Sequence, residues 1–461
     1  MTKTTLVLPA ALYERLRAVA AEPLETAGVL LVTLVETSDG LRLLGREYHP
    51  VPAAAYRVRH VDRLGISSDG YVPALSRAEQ LGAAAVWFHT HPGDGSWAGP
   101  SVWDDNVDDE LAETFRLRTN SEFYGTLIFS PSGADIAFTG RVLFSGAAGG
   151  TISRLWVVGD RLKLLHAAGR TPLEPLAIYD RNVRAFGAPV QVALGELRIG
   201  VVGCGGTGSS VIEQLGRLGA RRFLLVDPEE LSDSNVTRVY GSDPQDVGRP
   251  KVEIAARNLR RIAGDVDVTV AQSTCNVLAT AKLLAGCDVI FGCTDDNAGR
   301  LVLSRVPSYL LTPVFDMGVL LSADGSGTIN GIDGRVTAVL PGSACLICRN
   351  RIDLARAGAE LMTPQERKRL ESEGYAPQLG RTEPAVVTFT TAVAAAAVSE
   401  LLERLVGYGP LPVPSEVLLR MHDREVSTNL ASPRAQHYCD PAGGKLGVGY
   451  VDPFLDLAWT A

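Results

Sequence analysis

The sequence predicts an α/β protein built as two successive domains, and three observations carry that reading. The apolar run from Ala83 to Phe88 has the look of a buried strand, and it ends in His89-Thr90-His91-Pro92. The segment from Leu197 to Asp227 follows the order strand, glycine turn, helix, strand. A length of 461 residues leaves room for two or three domains with cores of their own. The domains are placed at residues 1–168 and 169–440, with residues 441–461 as a C-terminal tail.

In the first domain, His89 and His91 stand at i and i+2 of a strand, so both imidazoles project to one side and can reach one metal ion. Asp104, in Ser101-Val102-Trp103-Asp104, can supply a third ligand. A fourth position then stays open for water, which is the layout of a hydrolytic rather than a structural site. Upstream, Glu25 lies at the mouth of another apolar strand. Together Glu25, the His-Thr-His-Pro run, Ser101 and Asp104 resemble the JAMM (JAB/MPN) metalloproteases, isopeptidases that cut after ubiquitin-like C-termini. The resemblance implies a JAMM-type α/β metalloprotease domain in which His89, His91 and Asp104 bind zinc. Glu25 would take a proton from the metal-bound water and deliver it to the leaving amine, and Ser101 would donate to the oxyanion. Zinc brings the pKa of bound water to about 7, and a fixed hydroxyl lowers the charge of the tetrahedral state. Nine residues separate His91 from Ser101. That is longer than the family's usual gap, and a Gly-rich surface loop between Gly93 and Pro100 absorbs the difference at small entropic cost. The plain alternative is that the two histidines are polar residues ending a strand.

The second domain opens on an apolar strand, Leu197 to Val202, running into Gly203-Cys204-Gly205-Gly206-Thr207-Gly208-Ser209. A helical pattern follows with Val211, Ile212, Leu215 and Leu218 on one face. The strand Arg222 to Val226 then ends in Asp227, the layout of a nucleotide-binding Rossmann unit. Gly203, Gly205, Gly206 and Gly208 permit close backbone approach to phosphate, and a helix N-terminus favours negative charge. Downstream lie Ser234-Asn235-Val236-Thr237-Arg238, Gly248-Arg249-Pro250-Lys251 and Gly292-Cys293-Thr294-Asp295-Asp296-Asn297 with Arg300. In that order these segments resemble the ThiF/MoeB superfamily, which includes the ubiquitin-activating enzymes, from about Tyr179 to the helix near Leu405.

The resemblance implies a Rossmann-like ThiF adenylation domain using ATP and magnesium. Gly206 would lie against the nucleotide, and Asp227 would bond the ribose hydroxyls. Asn235, Arg238 and Lys251 would contact phosphates, and Asp295 would hold magnesium. Arg181, in Tyr179-Asp180-Arg181-Asn182, would reach the phosphates of a partner protomer in a homodimer. A carboxylate attacking the α-phosphate meets charge repulsion, which cations and metal neutralise.

Cys345 and Cys348 have the spacing of a zinc half-site. The resembling family completes such a site with a second Cys-x-x-Cys. Here the late cysteine is Cys439, in His437-Tyr438-Cys439, so a mixed site of three cysteines and His437 is expected, against a metal-free or merely buried pair. Cys204, Cys275, Cys287 and Cys293 fall in or beside predicted strands, where small buried cysteines are common. Many ubiquitin-activating enzymes pass the acyl group to a cysteine in a crossover loop. The matching stretch, Ile352 to Pro384, contains none. The chain is therefore expected to stop at the acyl-adenylate and present it to a nucleophile on another protein.

A net charge of −8 argues against a general nucleic-acid binder. Seven cysteines without a disulfide-type spacing suit a reducing compartment, and a cytoplasmic protein is expected. The apolar run before Pro9 is too short for a signal peptide. Ala385 to Val398 is Ala-rich but too short to span a bilayer, so it predicts a buried helix and no membrane partner. Ser145 to Gly150 has the composition of an inter-domain linker, and Thr171 to Pro175 that of a second break. Leu155 to Leu165 predicts a hairpin around Gly159-Asp160.

These readings combine into one chemical sequence. A JAMM domain frees a C-terminal glycine, and a ThiF-like domain adenylates a freed carboxylate. The expectation is a bacterial-type fusion of a peptidase and an activator for a ubiquitin-like protein with a C-terminal glycine, with a conjugating enzyme as a further partner. One competitor is a sulfur-carrier system, in which the carboxylate becomes a thiocarboxylate. Another is a non-catalytic module that only holds the ubiquitin-like partner. Neighbouring genes separate these.

Overall fold

A computed structural model describes residues 3–93, 99–146, 149–170, 173–324, 326, 328–362, 365–366, 369 and 385–459. The chain divides into two compact units, Met1–Pro172 with Gly447–Gly449, and Leu173–Leu446 with Tyr450–Ala461.

Unit 1 runs β1 (Thr4–Pro9), α1 (Ala10–Ala20), β2 (Ala27–Thr37), β3 (Gly40–Pro50), the small hairpin β4 (Tyr56–Arg59) and β5 (Leu64–Ile66), and α2 (Val72–Leu81). It continues with β6 (Ala84–Thr90), α3 (Val102–Thr119), β7 (Phe123–Ser132), β8 (Asp135–Phe144), β9 (Gly150–Val158) and β10 (Lys163–His166). The sheet order is β1-β3-β2-β6-β7-β8-β9-β10, and β1 also pairs with β9, so the ladder closes on itself with β10 outside. The β8–β9 seam is the weakest part of that ring, with only Arg141 opposite Thr151 and Val142 opposite Gly150.

Strand alternation sorts the core into two faces. Val86 and Phe88 join Leu30 and Leu127 in the cluster that holds Leu12 and Leu16 of α1. Ala85 and Trp87 join Val29, Leu31 and Tyr124 under Leu75 of α2 and Phe115 of α3. His89 is next in the Ala85, Trp87 series, so it lies on the α2–α3 face.

Three sequence expectations are corrected here. The Ser145 to Gly150 stretch, of which residues 147–148 lie outside the described set, joins β8 to β9 inside unit 1 rather than linking domains. Glycine clusters mark tight inter-strand turns as readily as linkers, and the apolar Ile152, Leu155 and Trp156 just beyond it close the ring. The units part after Pro172 rather than residue 168; residues 171–172 of the second expected break are outside the described set. The hairpin expected at Leu155 to Leu165 is β9 and β10, and it closes the first sheet. Residues 441–461 are not a separate tail, since Gly447–Gly449 belongs with unit 1 and Tyr450–Ala461 with unit 2.

Unit 2 contains α4 (Asp180–Phe186), α5 (Ala188–Glu196), β11 (Arg198–Val202), α6 (Gly206–Leu218), β12 (Arg222–Val226), α7 (Lys251–Ala263), β13 (Asp267–Ala271), α8 (Leu278–Leu283), β14 (Val289–Gly292) and α9 (Asn297–Leu310). Then follow β15 (Val314–Ala323), β16 (Ile329–Val339), α10 (Leu354–Glu360), α11 (Val387–Val406), β17 (Glu416–Arg420) and β18 (Glu425–Asn429). The sheet order is β13-β12-β11-β14-β15-β16-β17-β18, parallel from β13 to β15 and antiparallel beyond. The order reverses between β11 and β14, and in open α/β sheets ligands bind outside the carboxyl ends of the strands at such a point.

The Ala-rich segment forms α11, which packs on α6 and buries Val393, Ala394, Ala397 and Leu401. Among the described residues no helix is long and apolar enough to cross a membrane. Most of Ile352 to Pro384 lies outside the described residues.

Candidate functional site

In unit 1 the pairing of β2 with β6 sets Ala27 opposite His89. At the mouth of that ladder the Thr90 N–H donates to Thr26 O, and the Thr26 N–H donates to Thr90 Oγ1, each at 3.0 Å. Glu25 is thereby held next to the histidines, its Oε1 4.0 Å from His91 Nε2. Asp104 arrives from the first turn of α3, with Oδ1 3.2 Å from His89 Nε2 and Oδ2 3.6 Å from His91 Nε2. One ligand atom from each of His89, His91 and Asp104 falls within 4.8 Å of the others.

His89 is buried; among the described residues its Nδ1 makes no hydrogen bond, and the near polar neighbour of its Nε2 is Asp104 Oδ1 at 3.2 Å. A buried, unbonded imidazole nitrogen is costly in an apoprotein. Two imidazoles and a carboxylate around that point fit a zinc ion with an open coordination position. Burial opposes the charge on Asp104, but the two imidazoles outweigh it and hold the carboxyl well below the usual range. Burial pushes Glu25 up, partly offset by the same histidines.

Ser101 is the N-cap of α3. Its Oγ accepts the Asp104 N–H at 3.2 Å, and Asp104 Oδ2 accepts the Ser101 N–H at 2.6 Å. The Ser-x-x-Asp spacing is therefore a capping box, a signal the metal-centred reading passed over. Accepting that bond leaves the Ser101 O–H free to donate.

Four supporting residues were also missed. Arg141 of β8 pairs with Asp105 at 2.7 Å and Asp108 at 2.6 Å, and Tyr124 OH donates to Asp108 at 3.0 Å. They fasten the helix that carries Asp104 to the sheet. No local motif announces them, because the pairing depends on the β7–β8 register.

In unit 2 the glycine turn meets the loop after β14. Gly203 has φ of +93°, and a Cβ there would lie 2.7 Å from Cys293 O. A Cβ on Gly208 would lie 1.8 Å from Gly203 O, so no side chain fits where α6 leaves the turn. The Cβ position of Gly205 faces open space, while that of Gly206 lies 3.2 Å from Arg238 Cδ and from Thr390 Oγ1. The start of α6, with its unpaired N–H groups, is thus rimmed by Arg238 and by the beginning of α11, which suits a phosphate group.

Asp227, at the end of β12, uses its carboxylate on the backbone, accepting the Cys204 N–H at 2.6 Å and the Glu229 N–H at 2.8 Å. Burial raises its pKa despite these bonds. Lys251 is buried and ion-paired with Glu229. Asn235 is buried in a short turn, with its Oδ1 3.4 Å from the Ser232 N–H, and Arg238 Nη1 donates to Ser234 O at 2.8 Å. Asp295 is exposed, and among the described residues its carboxylate makes no hydrogen bond or ion pair; a free carboxylate beside an open anion cradle fits magnesium.

Arg181 is exposed on α4 and bonds to none of these residues. The sequence reading also overlooked Thr390 and Asp316. Asp316 is fully buried opposite Gly292, with Arg335 at 2.6 Å and Arg300 at 3.4 Å. A lone acid inside the apolar run Val314 to Met317 was the available signal.

Cys345, Cys348, His437 and Cys439 converge as the sequence spacing suggested. His437 Nδ1 lies 3.6, 3.5 and 3.2 Å from the three sulfurs, and Cys348 Sγ lies 3.6 Å from Cys439 Sγ. Tetrahedral zinc with ordinary bond lengths would have edges of about 3.8 Å between sulfurs and about 3.5 Å between sulfur and nitrogen. Backbone N–H groups of Cys348 and Arg434 point at Cys345 Sγ and Cys348 Sγ, the support thiolate ligands usually have. The neighbouring Cys439 thiol holds Cys345 down, to about 4. With both sites loaded the chain should carry two zinc ions. Cys439→Ser should leave one and lower the melting temperature, because structural zinc contributes folding energy directly. Unchanged zinc content by metal analysis would remove the cluster from consideration.

Burial pushes Cys204, Cys275 and Cys293 well above the ordinary thiol range, and Cys287 is also buried. Cys204, Cys275 and Cys293 thus lack the lowered pKa of an acyl-accepting nucleophile.

The ThiF family profile matches residues 179–439, more than half of the chain and wholly within unit 2. The chain belongs to the ThiF family. Among its relatives, the SAMP-activating enzyme E1 of Haloferax volcanii is 28% identical over 151 residues, 33% of this chain and 52% of that protein. The molybdopterin-synthase adenylyltransferase of Salmonella typhimurium is 33% identical over 153 residues, 33% of this chain and 61% of that protein. A crystal structure of E. coli MccB with ATP has a TM-score of 0.44 at 18% identity, covering 57% of this chain and 74% of that one. This ThiF chain spans about half the length of the curated relatives it matches.

Proposed function

We propose that this ThiF protein trims and then activates the C-terminus of a small ubiquitin-like or sulfur-carrier protein ending in glycine. The observation that carries the activation half is the meeting of the Gly203–Gly208 turn, Arg238 and the Cys293–Asp295 loop at the switch point of the parallel sheet. The partner's terminal carboxylate oxygen attacks the α-phosphorus of ATP, the bond to the β-phosphate breaks, and pyrophosphate leaves. Magnesium, held by Asp295, would neutralise charge on the departing phosphates. Arg238 and Lys251 face the phosphates, Asn235 orients them, and Asp227 organises the turn while reaching for the ribose. Arg181 serves the site of a second protomer in a two-fold dimer. The relatives' names, a SAMP activator and a molybdopterin-synthase adenylyltransferase, favour this chemistry.

For unit 1 we propose a JAMM-type zinc peptidase with His89, His91 and Asp104 as ligands. Zinc would supply a water acidic enough to ionise near neutrality. Glu25 takes the proton and hands it to the leaving nitrogen, and Ser101 O–H donates to the carbonyl oxygen as it gains charge. Cys345, Cys348, His437 and Cys439 hold a second, structural zinc. Conjugation is the pathway we favour, with a conjugating enzyme taking the acyl group, and sulfur transfer is the second.

With no cysteine between Ile352 and Pro384, the chain should release pyrophosphate from ATP and partner yet form no thiol-sensitive covalent adduct on a non-reducing gel. Removing a C-terminal extension from the partner should stop on chelation and resume on adding zinc. A reducible adduct lost in one Cys→Ser variant would replace the direct-transfer scheme, and chelator-resistant cleavage would remove the metal from the peptidase step.

A further inference from the structure

We infer that Arg59 is a positioning residue for Glu25, and that the β4–β5 hairpin of unit 1 clamps the backbone carrying that side chain beside the metal triad. The assignment rests on the peptidase reading and deepens it, by naming what fixes the proton carrier. The last register pair of β2 with β6 is Ala27 opposite His89, so Glu25 lies two residues beyond the ladder. Glu22, Pro23 and Leu24 lead up to it outside any helix or strand. A base so placed would wander unless its backbone were held, because an unrestrained residue keeps several φ/ψ wells. The hairpin supplies the hold. β4 and β5 form a separate two-stranded sheet, and Arg59 is the last residue of β4. Two consecutive residues there engage both main-chain polar groups of Glu25. The Glu25 N–H donates to His60 O at 2.9 Å, and Arg59 Nε donates to Glu25 O at 3.2 Å.

Arg59 extends the grip one residue further. Its Nη2 donates to Thr26 Oγ1, which itself donates to Leu24 O at 3.0 Å. The Thr26 N–H donates to Thr90 Oγ1 at 3.0 Å, and Thr90 stands between His89 and His91. One guanidinium is thus joined to the ligand strand through a single threonine. A planar fork suits this task, since Nε and Nη2 reach two acceptors at a fixed spacing and a lysine ammonium does not. The fork is itself oriented. Its central carbon lies 5.0 Å from the centre of the Tyr56 ring, and the Tyr56 hydroxyl accepts the Ala27 N–H at 3.0 Å. The chain is therefore fastened on both sides of the base, and the Glu25 carboxylate keeps its place 4.0 Å from His91 Nε2. Misplacing a reacting group by about 1 Å costs on the order of a hundredfold in rate.

The test introduces Arg59→Met, which keeps an aliphatic stem and removes every donor, into the full zinc-loaded chain and into its Glu25→Gln variant. The substrate is a partner protein with a C-terminal extension. In the chain with Glu25, kcat should fall at least about tenfold with KM and zinc content kept, as expected for a displaced base rather than a lost binding contact. In the Glu25→Gln chain the same change should move the residual rate by less than about twofold, because Arg59 acts through the group already removed. An arginine with a merely structural role would lower both rates alike, and that result would overturn the clamp. So would loss of zinc in Arg59→Met, or full activity in Arg59→Met or in Arg59→Lys, which keeps the charge without the fork. Hydrogen exchange needs no turnover: losing the charge-assisted bond should speed exchange of residues 24–27 at least about tenfold while β6 is unchanged. If the unaltered chain holds zinc yet cuts no extension, the peptidase reading has failed. The clamp is then judged by exchange alone, where a faster rate in Arg59→Met sustains it and an unchanged rate overturns it.

Discussion

Asp295→Ala is expected to abolish exchange of pyrophosphate into ATP in the presence of the partner protein. The carboxylate stands exposed at the end of the loop that touches Gly203, and no described neighbour shares it. A metal held there, as proposed, would offset charge when the carboxylate meets the α-phosphate. Losing a preorganised charge stabiliser of that kind costs at least about 10²–10³-fold in rate. Asp296, next in sequence, does not substitute for it, because its carboxylate caps α9 through the Gly299 N–H and bonds Thr294. Labelled-pyrophosphate exchange measures the effect, with peptidase cleavage in the same sample reporting on folding. Exchange at the unaltered rate would place the metal on another carboxylate. Loss of both activities would mean that the variant is misfolded or that the halves depend on each other.

Glu25→Gln should keep its zinc and lose hydrolysis of a partner fusion by at least about two orders of magnitude, the usual worth of a positioned general base. The amide is nearly the same size, and Glu25 is not one of the three ligands, so metal content should stay at the unaltered value. The side chain sits 4.0 Å from His91 with its backbone N–H bonded to His60 O at 2.9 Å, so the substitution disturbs neither the strand nor the triad. Metal analysis and a cleavage gel decide the matter. Full activity in the variant would assign the proton transfer to another group.

The parts of the fold that were legible in sequence are those whose chemistry is local. The strand at Arg222–Val226, the helix burying Val211, Ile212 and Leu215, and the Ala-rich buried helix follow from periodicity alone. His89 and His91 are two apart on one strand, and Cys345 and Cys348 three apart in one turn, so their convergence needs no long-range register. That Asp104 and His437 join them was inferred from residue type and motif order, and the structure brings them within reach. What stayed illegible depends on pairing across the sheet. Arg141 meets Asp108 only because β8 lies against β7 in one register, and Asp316 sits beside Gly292 only because β15 runs parallel to β14. The linker misread at Ser145 to Gly150 has the same origin: composition describes flexibility, and only strand order says which sheet the next strand enters.

The box formed by Ser101 and Asp104 has a bearing on how sequences like this one diverge. A helix start of this quality is worth about 1 kcal/mol whether or not any ion is present. If unit 1 is the peptidase proposed above, a descendant that abandons proteolysis can therefore drift at His89 and His91 while purifying selection keeps Ser101 and Asp104 for folding alone. The Ser-x-x-Asp signature would outlive the activity, as a fossil of it. In a set of such sequences the histidine pair and Glu25, not the serine and aspartate, separate working enzymes from retired ones.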